Sequence, residues 1–233
     1  MKTLITLLLI STSLFLNGQS QSMLGAWERQ GSEASHQVIL ILTDGFWSFT
    51  EYSIEQKNFV GTMGGAWNLQ DGTISYTYEF STFAEVLQKQ LLPTAASQEN
   101  SDQLTLGDTR WTRVDAGKPG ALNGAWIITG RERDGNMSTI TPGVRKTMKI
   151  LSGTRFQWIA YNTETRAFLG TGGGTYTTAS GKYTENIEFF SRDNTRVGAS
   201  LGFNYELKDG KWHHKGMSSK GNPIYEIWSL RTD

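Results

Sequence analysis

Hydrophobic and polar positions alternate with a period of two over short stretches of this chain. Phe156, Trp158 and Ala160 are interleaved with Arg155 and Gln157. Tyr183, Glu185, Ile187 and Phe189 alternate with Thr184, Asn186 and Glu188, and Leu201, Phe203 and Tyr205 with Gly202, Asn204 and Glu206. Period-two alternation is the mark of a strand with one covered face. Turn chemistry separates the runs at Asp71-Gly72, Ser180-Gly181, Asp209-Gly210 and Lys220-Gly221-Asn222-Pro223. The pattern predicts strands near 125–130, 146–152, 154–161, 172–178, 182–190, 198–207, 211–218 and 224–230. The first half repeats the first five of these, and its Phe83–Gln90 stretch reads as a strand or a single short helical turn. Eight short strands in about 110 residues suit an up-and-down antiparallel meander, which closes most economically into a barrel.

The halves are related. A shift of 109 residues lays Val38–Phe80 on Thr147–Phe189 without a gap, with 12 identities in 43 positions. Among them are Tyr52/Tyr161, Phe59/Phe168, Gly64/Gly173, Gly65/Gly174, Glu79/Glu188 and Phe80/Phe189. Each half opens on Gly-Ala-Trp, at Gly25 and Gly124, and closes on a Trp strand, at Trp111 and Trp228. An internal duplication therefore predicts two units, 24–115 and 121–233, joined by a Gly/Pro-containing linker at 116–120.

Met1-Lys2, the apolar run Leu4–Leu16 and the polar stretch that follows have the layout of a cleaved secretory signal, with small residues at Gly18 and Ser20 for a cut after residue 20. The run is short for a membrane span, and no later segment is apolar enough for one. The expected product is secreted or periplasmic. The absence of cysteine excludes disulfides, thiolate chemistry and the lipid-anchoring cysteine of bacterial lipoproteins. A net charge of +0 marks no partnership with nucleic acid. Arg131 and Arg133, interleaved with Glu132 and Asp134, read as a solvated hairpin tip. The glycines at 64–65 and 172–174 lead into strands rather than a helix, which argues against a phosphate-cradling loop and for sharp strand bending.

A Gly-x-Trp strand running into an eight-strand meander resembles the lipocalin-like, calycin-type barrels. More narrowly, Leu122–Trp126, Phe156–Tyr161, Gly170–Tyr176, Tyr183–Ser191 and Ile224–Leu230 resemble the secreted bacterial lipocalin-like domains of unknown function. The resemblance implies an all-β protein of two tandem barrels, each floored by its Trp (Trp27, Trp126), with an apolar pocket and no catalytic residues to carry over.

The expected function is binding of a small apolar or amphipathic molecule in a lumen, chiefly that of the second barrel. Phe156, Trp158, Tyr176, Glu188, Phe189, Phe203, His213 and Tyr225 are the expected contact residues. Glu79 and Glu188 share a strand face with Ser75/Thr77 and Thr184/Asn186, which reads as the solvated outer face; the alternative turns Glu188 into the lumen. His213 and His214 are adjacent on a strand, so at most one of them lines a site, with Tyr225 and Glu226 expected opposite. No cofactor or metal site is expected, since His36 is the only other histidine. Two alternatives stay open: a non-catalytic structural or interaction module of the cell envelope, and an acid/base enzyme using Glu188, His213 or His214, and Tyr225.

Overall fold

The structure is a computed structural model that describes residues 22–31, 33–88, 93–218 and 221–232; the expected export segment, residues 1–20, lies outside them. The chain forms two closed eight-stranded antiparallel barrels in tandem. The first runs in sequence order through β1 (Gly25–Gln30), β2 (Gln37–Leu42), β3 (Phe46–Ser53), β4 (Asn58–Gln70), β5 (Thr73–Ser81), β6 (Thr94–Asn100), β7 (Gln103–Leu106) and β8 (Thr109–Asp115), which returns to β1. The stretch after Phe83 is a five-residue helix, α1 (Ala84–Gln88).

The second barrel consists of β9 (Gly124–Arg133), β11 (Arg145–Leu151), β12 (Arg155–Asn162), β13 (Phe168–Ala179), β14 (Lys182–Phe190), β15 (Ser200–Lys208), β16 (Lys211–Met217) and β17 (Pro223–Leu230), closed by β17 pairing with β9. A ninth strand, β10 (Asn136–Thr139), hangs on the outer end of β9. Among the described residues no helix is long and apolar enough to cross a membrane.

Local chemistry sets these elements. Asp71-Gly72, Asp134-Gly135, Ser180-Gly181 and Asp209-Gly210 each hold two successive positive φ angles, the conformation a two-residue hairpin turn of matching twist requires. Trp27 and Trp126 are buried, and each indole N–H donates to the carbonyl four residues back, Met23 and Leu122, at 2.9 Å. The segment after β8 is pinned rather than loose. The Asp115 carboxylate accepts from the N–H groups of Gly117, Gly153 and Thr154 and from the hydroxyls of Ser152 and Thr154, at 2.6–2.9 Å.

Bulges redirect the alternation. Gly174 faces Ile187 and Gly173 faces Phe189, so Glu188 is an extra residue on β14; Glu79 is its counterpart on β5, between Gly65↔Tyr78 and Gly64↔Phe80. An extra residue reverses which face the following side chains take. Phe80 and Phe189 consequently turn outward, into a cluster shared by the two barrels with Ile39, Ile41, Tyr52, Met148, Ile150, Ile159 and Tyr161.

That shared cluster has an approximate two-fold character, because repeat-equivalent residues meet across it. Phe59 stacks on Phe168 with ring centroids 5.9 Å apart. Tyr52 packs on Phe189 at 4.8 Å, and Phe80 on Tyr161 at 4.9 Å. The Tyr52 hydroxyl donates to Glu188 (2.6 Å), which also pairs with Arg155 (2.5 Å). Reciprocally, the Tyr161 hydroxyl donates to Glu79 (2.8 Å), which pairs with Arg231 (2.6 Å). Between these clusters the Gln157 amide donates to the equivalent Thr62 and Thr171 hydroxyls, at 2.9 and 3.0 Å. The expectation of a solvated outer face for Glu79 and Glu188 is thus corrected. They do leave the barrel outward, but the neighbouring barrel covers them.

Candidate functional site

The interiors of the two barrels differ in chemistry. The first encloses an apolar cluster of Trp27, Leu40, Trp47, Phe49, Trp67, Ile74, Leu104, Leu106 and Trp111, with Arg29 stacked over Phe49 and Trp111; its buried ionisable pair is His36 with Glu51, 3.2 Å apart. The second buries ionisable groups among its aromatic residues. Lys149 stands opposite Trp126, as Leu40 stands opposite Trp27. The repeat shift likewise sets Glu185 on Tyr76 and Tyr183 on Ile74. His214 pairs with Glu226 at the place where Leu106 pairs with Thr109 in the first barrel.

The inner groups form two linked clusters. Lys149 Nζ lies 2.6 Å from Glu185, whose Oε1 also accepts the Tyr183 hydroxyl at 2.8 Å. The ammonium sits 5.1–5.8 Å from the ring centroids of Tyr183, Phe203, Trp212 and Trp228, so carboxylate and ring faces together compensate its burial. Beyond it His214 packs against Phe203 (4.2 Å) and Trp212 (5.3 Å). Its Nδ1 stands 3.5 Å from Glu226, and Glu226 pairs with Arg131 at 2.6 Å. Neither ring nitrogen of His214 meets an aligned hydrogen-bond partner among the described residues.

Burial, reinforced by Lys149, holds the His214 pKa below 6.5. Burial alone would raise the Glu226 carboxyl, but His214, Lys149 and Arg131 outweigh it and hold the group at about 2 instead of 4.5. Burial and Glu185 push the Tyr183 hydroxyl well up. Both His214 and Glu226 therefore weaken the fold in acid. The unfolded chain protonates His214 near 6.5 and Glu226 near 4.5, while the folded chain resists until lower pH. The melting temperature is expected to fall as pH drops below about 6.5, and to fall further between 4.5 and 2. His214→Phe should lose the upper step and keep the lower. An unchanged upper step in that variant would assign the loss to another group.

The barrel wall also opens beside these groups. The edge of β9 pairs with β11 from Gly124 to Ile127, then with β10 from Gly130 to Arg133. Where the two partners diverge lies a cleft of about 380 Å³, lined by Ile127, Ile128, Arg131, Arg133, Ile140, Pro142, Arg145, Lys146 and Thr147. Thr129 is an extra residue between the Ile128↔Trp228 and Gly130↔Ile227 pairs, so Arg131 comes opposite the inward Glu226. Arg131, its side chain still 40% exposed, thus ties the solvated hairpin to the buried Glu226, while Arg133 stays exposed at the rim as expected.

Of the residues expected at the site, Phe156, Tyr176 and Phe203 are buried in the second barrel's interior cluster, and Trp158 packs against it. Glu188 and Phe189 belong to the contact with the first barrel, for the bulge reason given above. His213 and Tyr225 turn away from the interior and meet each other, Nδ1 to hydroxyl, at 2.8 Å. The inward histidine is His214. Lys149, Glu185 and Arg131 escape a reading based on aromatic faces, whereas Glu226 lies opposite the histidine pair as expected. Lys149 and Glu185 had a signal: under the 109-residue shift each stands where the first half has an apolar or aromatic residue. Among the described residues no group of three His, Asp or Glu could hold a metal ion. A scan of the sequence against protein-family models gives no match, and neither does a search of curated proteins.

Proposed function

We propose that this chain is an exported, lipocalin-like binding protein whose small-molecule site belongs to the second barrel, the first serving as its structural partner. The observation that carries this reading is the internal comparison. Two barrels of shared descent and the same topology differ where Lys149, Tyr183, Glu185, His214 and Glu226 replace Leu40, Ile74, Tyr76, Leu106 and Thr109. Buried charge is costly at positions that uncharged residues occupy in the first barrel. Its retention beside an open cleft supports a role in recognition. Phe156, Trp158, Tyr176 and Phe203 supply the apolar wall, and the charged cluster supplies orientation.

The test is a thermal-shift and tryptophan-fluorescence screen of the purified chain against small amphipathic compounds. A ligand at one hundred times its Kd is expected to stabilise by about 2.7 kcal/mol. The triple variant Lys149→Met, Tyr183→Phe, Glu185→Leu, which gives the second barrel an apolar centre, should lose that response. Equal responses in both proteins, or no response from any compound, would refute the assignment.

A further inference from the structure

The polar groups of the second barrel are unequal in sign. Alternation along β11 places Arg145, Thr147 and Lys149 on its inner side, and the extra residue in β9 turns Arg131 and Arg133 to the same side. Four cations thus run from the rim of the cleft to the centre of the barrel. The carboxylates facing them are Glu226, on Arg131, and Glu185, on Lys149. These two pairings leave Arg133 and Arg145 at the rim, neither of which has an ion-pair partner among the described residues. Lys146, whose charge also acts on the Glu79 carboxylate of the inter-barrel contact, adds a further cation to the cleft lining. Ile128 and Ile140 line the cleft and also belong to, or pack against, the interior cluster. The first barrel has no counterpart to this arrangement, since β1 ends at Gln30 and carries no hairpin strand like β10.

We infer that the cleft between β9 and β11 is an oxyanion site, and that the ligand is a small amphiphile with a carboxylate or phosphate head between Arg133 and Arg145 and a short apolar body over Ile128 and Ile140. This rests on the second barrel being the binding barrel. The volume of about 380 Å³ lies at the small end of ligand sites, which selects a short body over a long acyl chain. The two guanidinium groups offer planar paired donors to an oxyanion, the geometry for which arginine exceeds lysine. Arg131 is engaged by Glu226, so the head group falls to Arg133 and Arg145 at the rim.

The experiment titrates the purified full chain with four probes of one body length: hexanoate, hexyl phosphate, hexan-1-ol and hexylammonium. At least one of the two anions is expected to bind, more weakly as ionic strength rises, and the alcohol and the ammonium are not. Comparison of the anions separates a carboxylate from a phosphate ligand. Arg133→Gln and Arg145→Gln should each weaken anion binding about tenfold, the size of one lost charge-assisted hydrogen bond. Both residues are exposed, so these variants should melt as the wild type does. Lys215→Gln, on the outer face of β16, should bind as the wild type does. Hexan-1-ol binding as tightly as hexanoate, with both lost in the triple variant, would overturn the oxyanion site and leave the second-barrel reading standing. Absence of anion binding, while other amphiphiles from the screen bind in a way the triple variant abolishes, would have the same meaning. Probes that bind the wild type, both arginine variants and the triple variant alike would overturn both.

Discussion

Glu185→Leu, made alone, is expected to cost about 3–5 kcal/mol, because it leaves the Lys149 ammonium buried with ring faces and no carboxylate. Lys149→Met alone should be similarly damaging, since Glu185 would keep only the Tyr183 hydroxyl within hydrogen-bond reach. Removing the whole group together has the opposite sign. In the triple variant Lys149→Met, Tyr183→Phe, Glu185→Leu no charge is desolvated without a partner, and the side chains nearly conserve volume. Its stability is expected to equal the wild type or exceed it by about 1–4 kcal/mol. Chemical denaturation of the four proteins checks both halves of the statement. A triple variant as weak as the single ones would mean that the ion pair is needed for the barrel to pack. Such a result would remove the argument that this charge is kept for recognition.

The second large effect concerns cooperativity. Tyr52, Phe80, Tyr161 and Phe189 belong to one buried cluster contributed by both barrels, so neither barrel can unfold without exposing part of the other's core. A single calorimetric transition is expected for the wild-type chain. Glu79→Ala leaves the nearly buried Arg231 guanidinium without its carboxylate, and Glu188→Ala does the same to Arg155. Each should cost about 3–5 kcal/mol. The double variant should separate the melting of the two barrels into two transitions. Two transitions already present in the wild type would show that the shared cluster does not couple them. Burial would raise the Glu79 pKa, but Arg231 and Tyr161 hold it below 4.5, so this contact also weakens in acid.

The barrels were legible in the sequence because period-two alternation and Asp-Gly or Ser-Gly turns are local signals, and because the 109-residue shift let each half check the other. The eight strands expected in the second half are all present, and β10 is additional. What alternation does not carry is its own interruption. Continued past Ile187 it sends Phe189 into the lumen, whereas one extra residue, Glu188, sends it to the other barrel. A bulge leaves hydrophobicity unchanged and alters only the count, so no periodic reading detects it. The same reason aims Arg131, on an otherwise solvated hairpin, at Glu226. His214 was open to inference only in part. Adjacency limits a strand to one inward histidine, but the choice between His213 and His214 depends on register with β17, where His214 meets Glu226. Lys149 is different. It lies among apolar residues, and only comparison with Leu40 distinguishes an inward lysine from one that leaves the strand toward water.

The join between the barrels has a further consequence, for how the chain can change. In a pair of identical barrels, any substitution falls on both members, so a charge placed in one interior is placed in the other and the assembly bears it twice. Once two copies share a single chain, a substitution falls on one of them. The first barrel could keep Leu40, Tyr76 and Leu106 while the second carries Lys149, Glu185 and His214 at the matching places. The common core then ties the folding of each copy to the other. Residues around the cleft are correspondingly free to vary, and selection acting on specificity can proceed there with little risk to folding.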